Sequence, residues 1–313
     1  MNGYHLQGRI ERRREMTDKN KAYLLAMTVV VFWSTVASAF KLSLRYLSII
    51  ELLLYSTFFS AAALFLILAI QKKLPLLKTL KKQDYLFSAL LGFLNPFLYY
   101  LVVFKAYSLL PAQMAQPLNM IWGIVLVLIS IPILKQKVRF IDMIALLVCF
   151  AGVVVISTEG DLSGFRVKSP LGVLLAVGSS LVWSFYWVLN VRDKRDAVVR
   201  IFLNFVFGFG FILLSVIFVF SIKVPAIEGV LGAFYVGLFE MGLAFALWVK
   251  ALKLSDATVD ISILIYIVPF ISFVFIHIFV GERIMISSVV GAVLIIGGIL
   301  INKQKKKKKK KTE

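Results

Sequence analysis

Histidine and cysteine are almost absent from this chain of 313 residues, which has two histidines, His5 and His277, and one cysteine, Cys149. One cysteine excludes an intramolecular disulfide framework, and two histidines cannot form a histidine-rich metal site. Charged residues are scarce as well, at 16%, whereas soluble domains carry about 25%. The chain is therefore not an ordinary soluble globular protein.

Hydrophobic residues make up 60% of the chain, and its mean hydropathy is +0.92. They are collected into ten segments bounded by charges, proline or glycine, and about 20 apolar residues in a helix are enough to cross a bilayer. The segments cover residues 22–44, 49–70, 85–104, 112–134, 140–157, 170–190, 201–221, 230–249, 257–279 and 284–302. The sequence predicts an all-α polytopic membrane protein with ten transmembrane helices.

Positive charge is distributed unevenly around these segments. The chain has 35 Lys and Arg residues against 16 Asp and Glu. With the N-terminus inside the cell, 28 of the 35 fall in cytoplasmic tails and loops, and 7 lie near the outer side. This bias obeys the positive-inside rule and predicts cytoplasmic termini. The basic tails, residues 1–21 and 303–313, are expected to bind anionic lipid or only to fix the topology; no nucleic-acid partner and no cleavable signal peptide is expected.

The two halves of the chain resemble each other. Trp33-Ser34 in the first segment is matched by Trp183-Ser184 in the sixth, and Ala151-Gly152 is matched by Gly297-Gly298. Matches of this kind recur in one order at offsets of about 145 to 150 residues, which indicates an internal repeat.

The repeat divides the chain into two membrane units. We expect a first five-helix repeat over residues 22–157, an external linker over 158–169 and a second five-helix repeat over 170–302. Because five is odd, the second repeat must enter the membrane from the opposite side. Such inverted repeats suit alternating access, in which the halves exchange roles as the site opens to either side.

Several of these residues resemble the EamA-type transporters of the drug/metabolite transporter superfamily. The resemblance rests on the Trp-Ser pairs and, in the second half, on Ala251, Pro269, Gly281-Glu282-Arg283, Gly291 and Gly297-Gly298. The first half departs from the pattern, since Lys135-Gln136-Lys137 replaces Gly-Glu-Arg and Gly123 replaces the proline. Membership implies ten helices around a central cavity lined by helices from segments 1, 3, 4, 6, 8 and 9. It also implies movement of small metabolites, often export of amino acids or related compounds.

A charged side chain in the middle of a membrane helix is costly, so Glu240 in the eighth segment is a candidate functional residue. Its counterpart 145 residues earlier is Asn95, which precedes a proline expected to kink the third helix. Two polar groups at matched depth predict one site near the bilayer midplane. Glu240 could bind a substrate amine, exchange a proton, pair with Lys41 or only bond neighbouring helices, which Gly237 and Gly242 allow to approach closely.

Polar and aromatic side chains recur at helical spacing in the other segments that the resemblance places around a cavity. We predict that the substrate site also includes Trp33, Ser34, Tyr99, Gln116, Asn119, Trp183, Tyr186, Asn190 and Tyr266. The alternative is that these side chains only pack helix against helix. Lys41 and Asp260 are further candidates for coupling or gating, although Lys41 could extend to the outer interface and Asp260 could cap the ninth helix.

The function predicted from these features is secondary-active export of a small metabolite across a prokaryotic cell membrane. No nucleotide-binding, hydrolase or metalloprotease motif is found, so uphill transport would use a gradient of H⁺ or Na⁺, without a cofactor or metal. The alternative is an intramembrane transferase acting on a lipid diphosphate, with Mg²⁺ bound by two acidic pairs, Asp193 with Asp196 and Asp256 with Asp260. Basic neighbours of the first pair argue against that role.

The charge distribution predicts which segments an impermeant reagent can reach. In a Cys149→Ala background, the variant Ser163→Cys in the 158–169 linker should react with an impermeant maleimide on intact cells. The variant Thr312→Cys in the C-terminal tail should react only after the membrane is opened. The opposite labelling pattern would contradict the ten-helix topology.

Overall fold

The backbone is helical wherever regular structure is described, as burial of apolar segments in lipid requires. The computed structural model describes residues 2–134, 140–161, 167, 169–219, 224–254, 261 and 264–309. Asp256, Asp260 and the segment Lys135-Gln136-Lys137 lie outside the described residues, so the expectations about them stay predictions.

Thirteen α-helices are defined within these ranges. They are α1 (Asn2–Ser43), α2 (Ile49–Ile70), α3 (Lys82–Gly92), α4 (Tyr99–Leu109), α5 (Ala112–Asn119), α6 (Trp122–Leu134), α7 (Phe140–Ser157), α8 (Pro170–Arg192), α9 (Ala197–Val219), α10 (Ile227–Val236), α11 (Leu243–Leu254), α12 (Val268–Phe275) and α13 (Ile286–Lys309). Each of the ten predicted apolar segments overlaps at least one of them.

Six helical stretches are long and apolar enough to cross a membrane. They are Asp18–Ser43, Ile49–Ile70, Lys82–Leu109, Pro170–Asn190, Ala197–Phe218 and Ile227–Leu254. Three shorter apolar helical stretches follow the same pattern, at Met143–Ser157, Leu264–Val280 and Ile286–Ile301. The chain is an integral membrane protein, with its helices in the order that the hydropathy pattern predicts.

Four membrane segments are interrupted at matched places in the two halves. A π-helical turn over Phe93–Leu98 joins α3 to α4, and another over Gly237–Gly242 joins α10 to α11. A break of two residues separates α5 from α6, and a 3₁₀ turn over Leu264–Ile267 precedes α12. Pro96 contributes to the first interruption because it has no N–H, and Asn95 before it is extended, with φ −151° and ψ 117°. Interruptions of this kind often mark functional sites.

The helices of one half pack against those of the other half. Helix α1 packs on α11 and α12, and its counterpart α8 packs on α4 and α6. Helix α2 packs along its counterpart α9, and α7 packs along α13. Each of these contacts is thus matched by a contact in which the two repeats exchange roles, as expected for inverted repeats.

Gly92 and Gly237, which are 145 residues apart, allow two of these matched contacts to form. A Cβ atom on Gly237 would lie 2.5 Å from the carbonyl oxygen of Ser56 in α2. A Cβ atom on Gly92 would collide with the carbonyl oxygen of Asn204 in α9. Because glycine has no side chain, both interrupted helices lie directly against the backbone of the opposite repeat.

We predict that Gly237→Ala destabilises the protein. The added methyl group has no space against the backbone of α2, and overpacking of this kind costs about 1–3 kcal/mol. The matched control is Gly210→Ala in α9, where no atom lies within 4 Å of the added Cβ. The control should retain or raise the thermal unfolding temperature in detergent, because alanine favours a helix over glycine by about 1 kcal/mol. Equal unfolding temperatures for Gly237→Ala and wild type would contradict the tight contact.

Candidate functional site

A cavity of about 70 Å³ lies between the interrupted helices. Its walls come from both repeats and comprise Trp33, Val36, Phe40, Tyr99, Val103, Tyr107, Gln116, Asn119, Met120, Trp122, Trp183, Glu240, Ile265 and Val268. Pockets for drug-sized ligands measure about 300–1,000 Å³. The cavity in this conformation therefore suits only a small molecule.

Among the described residues that line the cavity, Glu240 carries the one carboxylate, and none is a lysine or an arginine. The hydroxyl of Tyr100 donates a hydrogen bond to Glu240 Oε1 at 3.1 Å. The indole Nε1 of Trp33 donates to the backbone carbonyl of Glu240 at 3.3 Å. The first repeat thus holds Glu240 at two points. Tyr100 bonds one carboxylate oxygen, and Trp33 bonds the backbone of the π-helical turn that carries Glu240.

Six of the fourteen side chains that line the cavity are aromatic, and further rings pack behind them. The ring of Trp33 lies 5.2 Å from that of Trp248, and the ring of Trp183 lies 4.7 Å from that of Tyr99. Phe245 contacts both tryptophans, with ring centres 6.3 Å and 5.8 Å away. Aromatic faces attract cations, and a carboxylate beside them strengthens that preference.

Hydrogen bonds of the lining residues Tyr99 and Asn119 connect the cavity to α8 of the second repeat. Tyr99 donates to Asn119 Oδ1 at 3.3 Å, and Asn119 Nδ2 donates to Ser179 Oγ at 2.7 Å. The hydroxyl of Ser184 donates at 3.1 Å to the carbonyl of Trp122, the first residue after the break between α5 and α6. Both Trp-Ser pairs found in the sequence therefore donate a hydrogen bond to an interrupted helix of the other repeat. Trp33 donates to the turn at Glu240, and Ser184 donates to the start of α6 at Trp122.

The structure brings six of the predicted site residues to the cavity and places the others elsewhere. Those that line it are Trp33, Tyr99, Gln116, Asn119, Trp183 and Glu240. Ser34 is buried and donates to the carbonyl of Val30 in its own helix at 2.6 Å, and the Tyr266 hydroxyl lies against Gly123. Asn95, Tyr186 and Asn190 are buried in a separate group beside Trp183 rather than in the cavity wall.

The sequence reasoning missed the apolar part of the lining. Val36 and Phe40 lie three and seven residues after Trp33, so helical spacing from that tryptophan would have found both. Tyr107 is one turn of helix beyond Val103 and contacts Phe40, with ring centres 5.2 Å apart. Val36, Phe40 and Val103 carry no polar group, and Tyr107 carries a single hydroxyl, so a search for polar stripes passed over these positions.

One end of the helix bundle is closed by Glu282, and we refer to it as the Glu282 end. The backbone N–H groups of Ala112 and Gln113, at the start of α5, donate to the carboxylate of Glu282 at 2.8 Å and 3.2 Å. The Gln113 side chain in turn donates to the carbonyl of Arg283 and accepts from the N–H of Met285. A carboxylate at a helix N-terminus is stabilised by the helix dipole as well as by these bonds.

Lys41 belongs to the Glu282 end and not to the cavity. Its ammonium group interacts electrostatically with Glu282 and Arg45, and Arg45 Nη2 donates to the carbonyl of Val280 at 3.1 Å. Lys41 therefore lies beside Glu282 in this conformation, whereas one hypothesis from the sequence paired it with Glu240.

Ion pairs close the opposite end, which we call the Asp193 end. Arg195 Nε donates to Asp193 at 2.9 Å, and Arg195 Nη1 donates to the carbonyl of Asp84 at 2.8 Å. Lys73 pairs with Asp196 at 2.7 Å. Burial raises the pKa of both aspartates, but hydrogen bonds from Arg195 to Asp193 and from Lys73 to Asp196 outweigh it and hold each pKa below its usual value.

These ion pairs bear on the proposed magnesium site of a lipid-diphosphate transferase. Asp193 and Asp196 are each neutralised by a cationic side chain, so neither carboxylate is available as a bare ligand. In the part of the chain that the structure describes, no three His, Cys, Asp or Glu side chains come together as a metal site. The second acidic pair lies outside that part.

Comparisons with known proteins agree with the fold and with its internal repeat. The model of the EamA-like transporter family matches residues 20–158 and again residues 170–303. An uncharacterized transporter of Clostridium kluyveri is 29% identical over 177 residues, which cover 54% of this chain and 56% of that protein. The uncharacterized transporter YvbV of Bacillus subtilis is 27% identical over 222 residues, which cover 69% of this chain and 70% of that protein.

The match to the Clostridium protein spans only about half of that protein's length. The fold has a counterpart among solved structures as well. One crystal structure superposes with a TM-score of 0.62 and 21% identity, and the match covers 91% of this chain and 96% of the other. At that identity the likeness concerns the fold alone.

The Glu282 cap makes a prediction about stability. Glu282→Gln keeps the shape but removes the charge that faces the start of α5, so we expect a loss of about 0.5–2 kcal/mol and an unfolding temperature lower by about 2–4 °C in detergent. The control Arg283→Gln changes an exposed neighbouring side chain. Gln113 bonds the backbone carbonyl of Arg283 and not this side chain, so the control should unfold like wild type. If both variants unfold alike, Glu282 does not act as a helix cap.

Proposed function

This chain belongs to the EamA-like transporter family, and we propose that it exports a small metabolite, such as an amino acid or a related compound, by secondary-active alternating access. The observation that carries the proposal is the position of Glu240 in a small aromatic cavity between the two inverted repeats. A site at the interface of inverted repeats, formed by interrupted helices, is the arrangement that alternating access uses.

The cavity chemistry favours a substrate with an amino group. Glu240 supplies a negative charge, and Trp33, Trp183 and Tyr99 present ring faces around it. An ammonium group can bind both, through an ion pair with the carboxylate and a cation–π contact with a ring. Gln116 and Asn119 offer hydrogen bonds to other polar groups of the same molecule.

Closure at both ends supports a mechanism in which one end opens at a time. Opening the Glu282 end would release the start of α5 from Glu282, and opening the Asp193 end would separate Lys73 from Asp196. Each step replaces charge-assisted hydrogen bonds within the protein by hydrogen bonds to water, so either end can open at a moderate cost in free energy. In this proposal the Asp193 end faces the cytoplasm and the Glu282 end faces the outside of a prokaryotic cell membrane, as the charge bias of the sequence predicts.

Glu240 is also the candidate for coupling to an ion gradient. It is the one carboxyl group that the described part of the chain contributes to the cavity wall, and it would face water on either side as the ends open in turn. A group of this kind can carry a proton in one direction and bind the substrate amine in the other. No observation favours the transferase alternative over transport.

We predict that Glu240→Gln separates exchange from accumulation. The amide keeps the size and the hydrogen bond from Tyr100 but carries no charge and takes up no proton. The variant, reconstituted into liposomes, should still exchange a labelled amino acid between two loaded compartments, although with a lower affinity because the ion pair with the ammonium group is lost. It should fail to accumulate that amino acid when a pH gradient is imposed. If Glu240 instead pairs with the substrate amine throughout, both exchange and accumulation should fall by about tenfold or more.

The matched control is Glu228→Gln, which removes an exposed carboxylate at the start of α10, on the same membrane segment. This control should transport like wild type in both assays. Wild-type exchange and accumulation by Glu240→Gln would remove Glu240 from the site. Absence of exchange by the wild type for every amino acid and related metabolite tested would contradict the proposed substrate class.

A further inference from the structure

Three asparagines and a tyrosine form a second polar group next to the cavity, which we call the asparagine cluster. Its members are Asn95 in the first π-helical turn, Tyr186 and Asn190 in α8, and Asn204 in α9. The Tyr186 hydroxyl lies beside the amide groups of all three asparagines, and Asn204 Nδ2 donates to it at 3.4 Å. The Tyr186 ring lies 5.9 Å from Trp183, which lines the cavity.

The asparagine cluster is buried but its hydrogen bonds are incomplete. Asn95 and Asn204 are 0% exposed, and Asn190 and Tyr186 are each 2% exposed. Within the described part of the chain, neither amide atom of Asn95 has a hydrogen-bond partner, and the Oδ1 atoms of Asn190 and Asn204 also lack one. A buried polar atom without a partner costs about 1–3 kcal/mol, so this group is built to bind something.

Packing alone does not demand polar residues at these positions. The matched Trp33 and Trp183 relate the two halves by 150 residues, and at that offset Tyr186 corresponds to Val36 and Asn190 to Phe40. Both counterparts are buried apolar residues of α1. Apolar side chains thus fill the corresponding place in the first repeat, and they leave no buried polar atom without a hydrogen-bond partner.

The charges around the asparagine cluster favour an anion. Arg200 in α9 interacts with Tyr186, and its Nη1 donates to the carbonyl of Asn190 at 3.1 Å, while its buried Nε has no partner. The nearby carboxylate of Asp193 is already bonded to Arg195. Two guanidinium groups therefore share one carboxylate here, which leaves an excess of positive charge. Rotation of an asparagine amide about its last bond exchanges oxygen for nitrogen, so each amide can also present donors to an anion.

We propose that the asparagine cluster is a subsite for a carboxylate group, and that the transported metabolite carries a carboxylate in addition to an amino group. The inference rests on the proposed function, because it places the carboxylate of the same substrate on the Asp193 side of Glu240. Because Trp183 lines the cavity and its ring packs against Tyr186, the proposal requires the indole to move when a substrate held at Glu240 reaches the cluster. The amides of Asn95, Asn190 and Asn204, with Arg200, then donate to the carboxylate oxygens.

The test compares ligands that differ only in the carboxylate. Alanine, leucine and phenylalanine are each compared with the corresponding carboxamide, as ligands in thermal-shift titrations of the purified full chain and as competitors in liposome counterflow. The wild type should bind at least one amino acid about tenfold more tightly than its carboxamide, the size expected of one charge-assisted contact. Asn204→Leu should lose that preference, while its affinity for the carboxamide changes less than about twofold.

Asn204→Asp provides a second variant of nearly unchanged size. Its negative charge should repel a carboxylate and reverse the preference in favour of the carboxamide. The control Ser215→Ala lies in the same helix and removes a hydroxyl that donates only within α9, so its preference should match wild type.

Three results would overturn the subsite. The first is a wild type that transports amino acids but binds acid and carboxamide equally, which leaves the proposed transport function intact. The second is an equal loss of affinity for both ligands in the Asn204 variants, which would indicate a structural role. The third is a preference that depends on Na⁺ concentration and not on the carboxylate, which would make the cluster a cation site.

Discussion

Hydrogen bonding of the backbone in lipid is the constraint on which this structure depends. An unsatisfied N–H or C=O in the hydrocarbon region costs several kcal/mol, so a membrane helix can be interrupted only where other groups supply partners. Here the interruptions meet at the centre of the molecule. The Trp33 indole donates to the carbonyl of Glu240, and the Ser184 hydroxyl donates to the carbonyl of Trp122. Each hydrogen-bond donor comes from the opposite repeat, so each half of the chain stabilises the interrupted helices of the other half.

This mutual support explains why the site lies between the repeats and why it is small. Gly92 and Gly237 bring the π-helical turns against the backbone of α9 and α2, which leaves little space at the centre. Aromatic rings fill most of what remains, and Glu240 projects among them from its turn. A change at either Trp-Ser pair would therefore affect packing, helix continuity and the cavity together.

The two ends of the bundle are closed by different chemistry. At the Glu282 end a carboxylate caps a helix, and the rings of Phe40, Phe104 and Tyr107 pack between that cap and the cavity, with centres 4.8 Å and 5.2 Å from Phe40. At the Asp193 end the ties are ion pairs, and the asparagine cluster lies next to them. The repeats are thus related in backbone but differ in polarity at the two ends of the bundle.

The sequence by itself determined the membrane character, the internal repeat and the presence of one carboxylate deep in the eighth segment. These features depend on composition, on period and on matched offsets, which are readable without a structure. The matched Trp33 and Trp183 were identified in the same way, because both copies retain the residue type at the same place.

Only the tertiary structure decided which polar side chains face the cavity. Asn95 and Glu240 match in the repeat, yet Asn95 is the third residue of its π-helical turn and Glu240 is the fourth of its own. One residue of slip turns a side chain by about 100° around a helix, and Asn95 is also extended, so the two groups point to different places. Sequence period gives the depth of a residue in the membrane, but the direction of its side chain depends on where the helix is interrupted and on which helix packs against it.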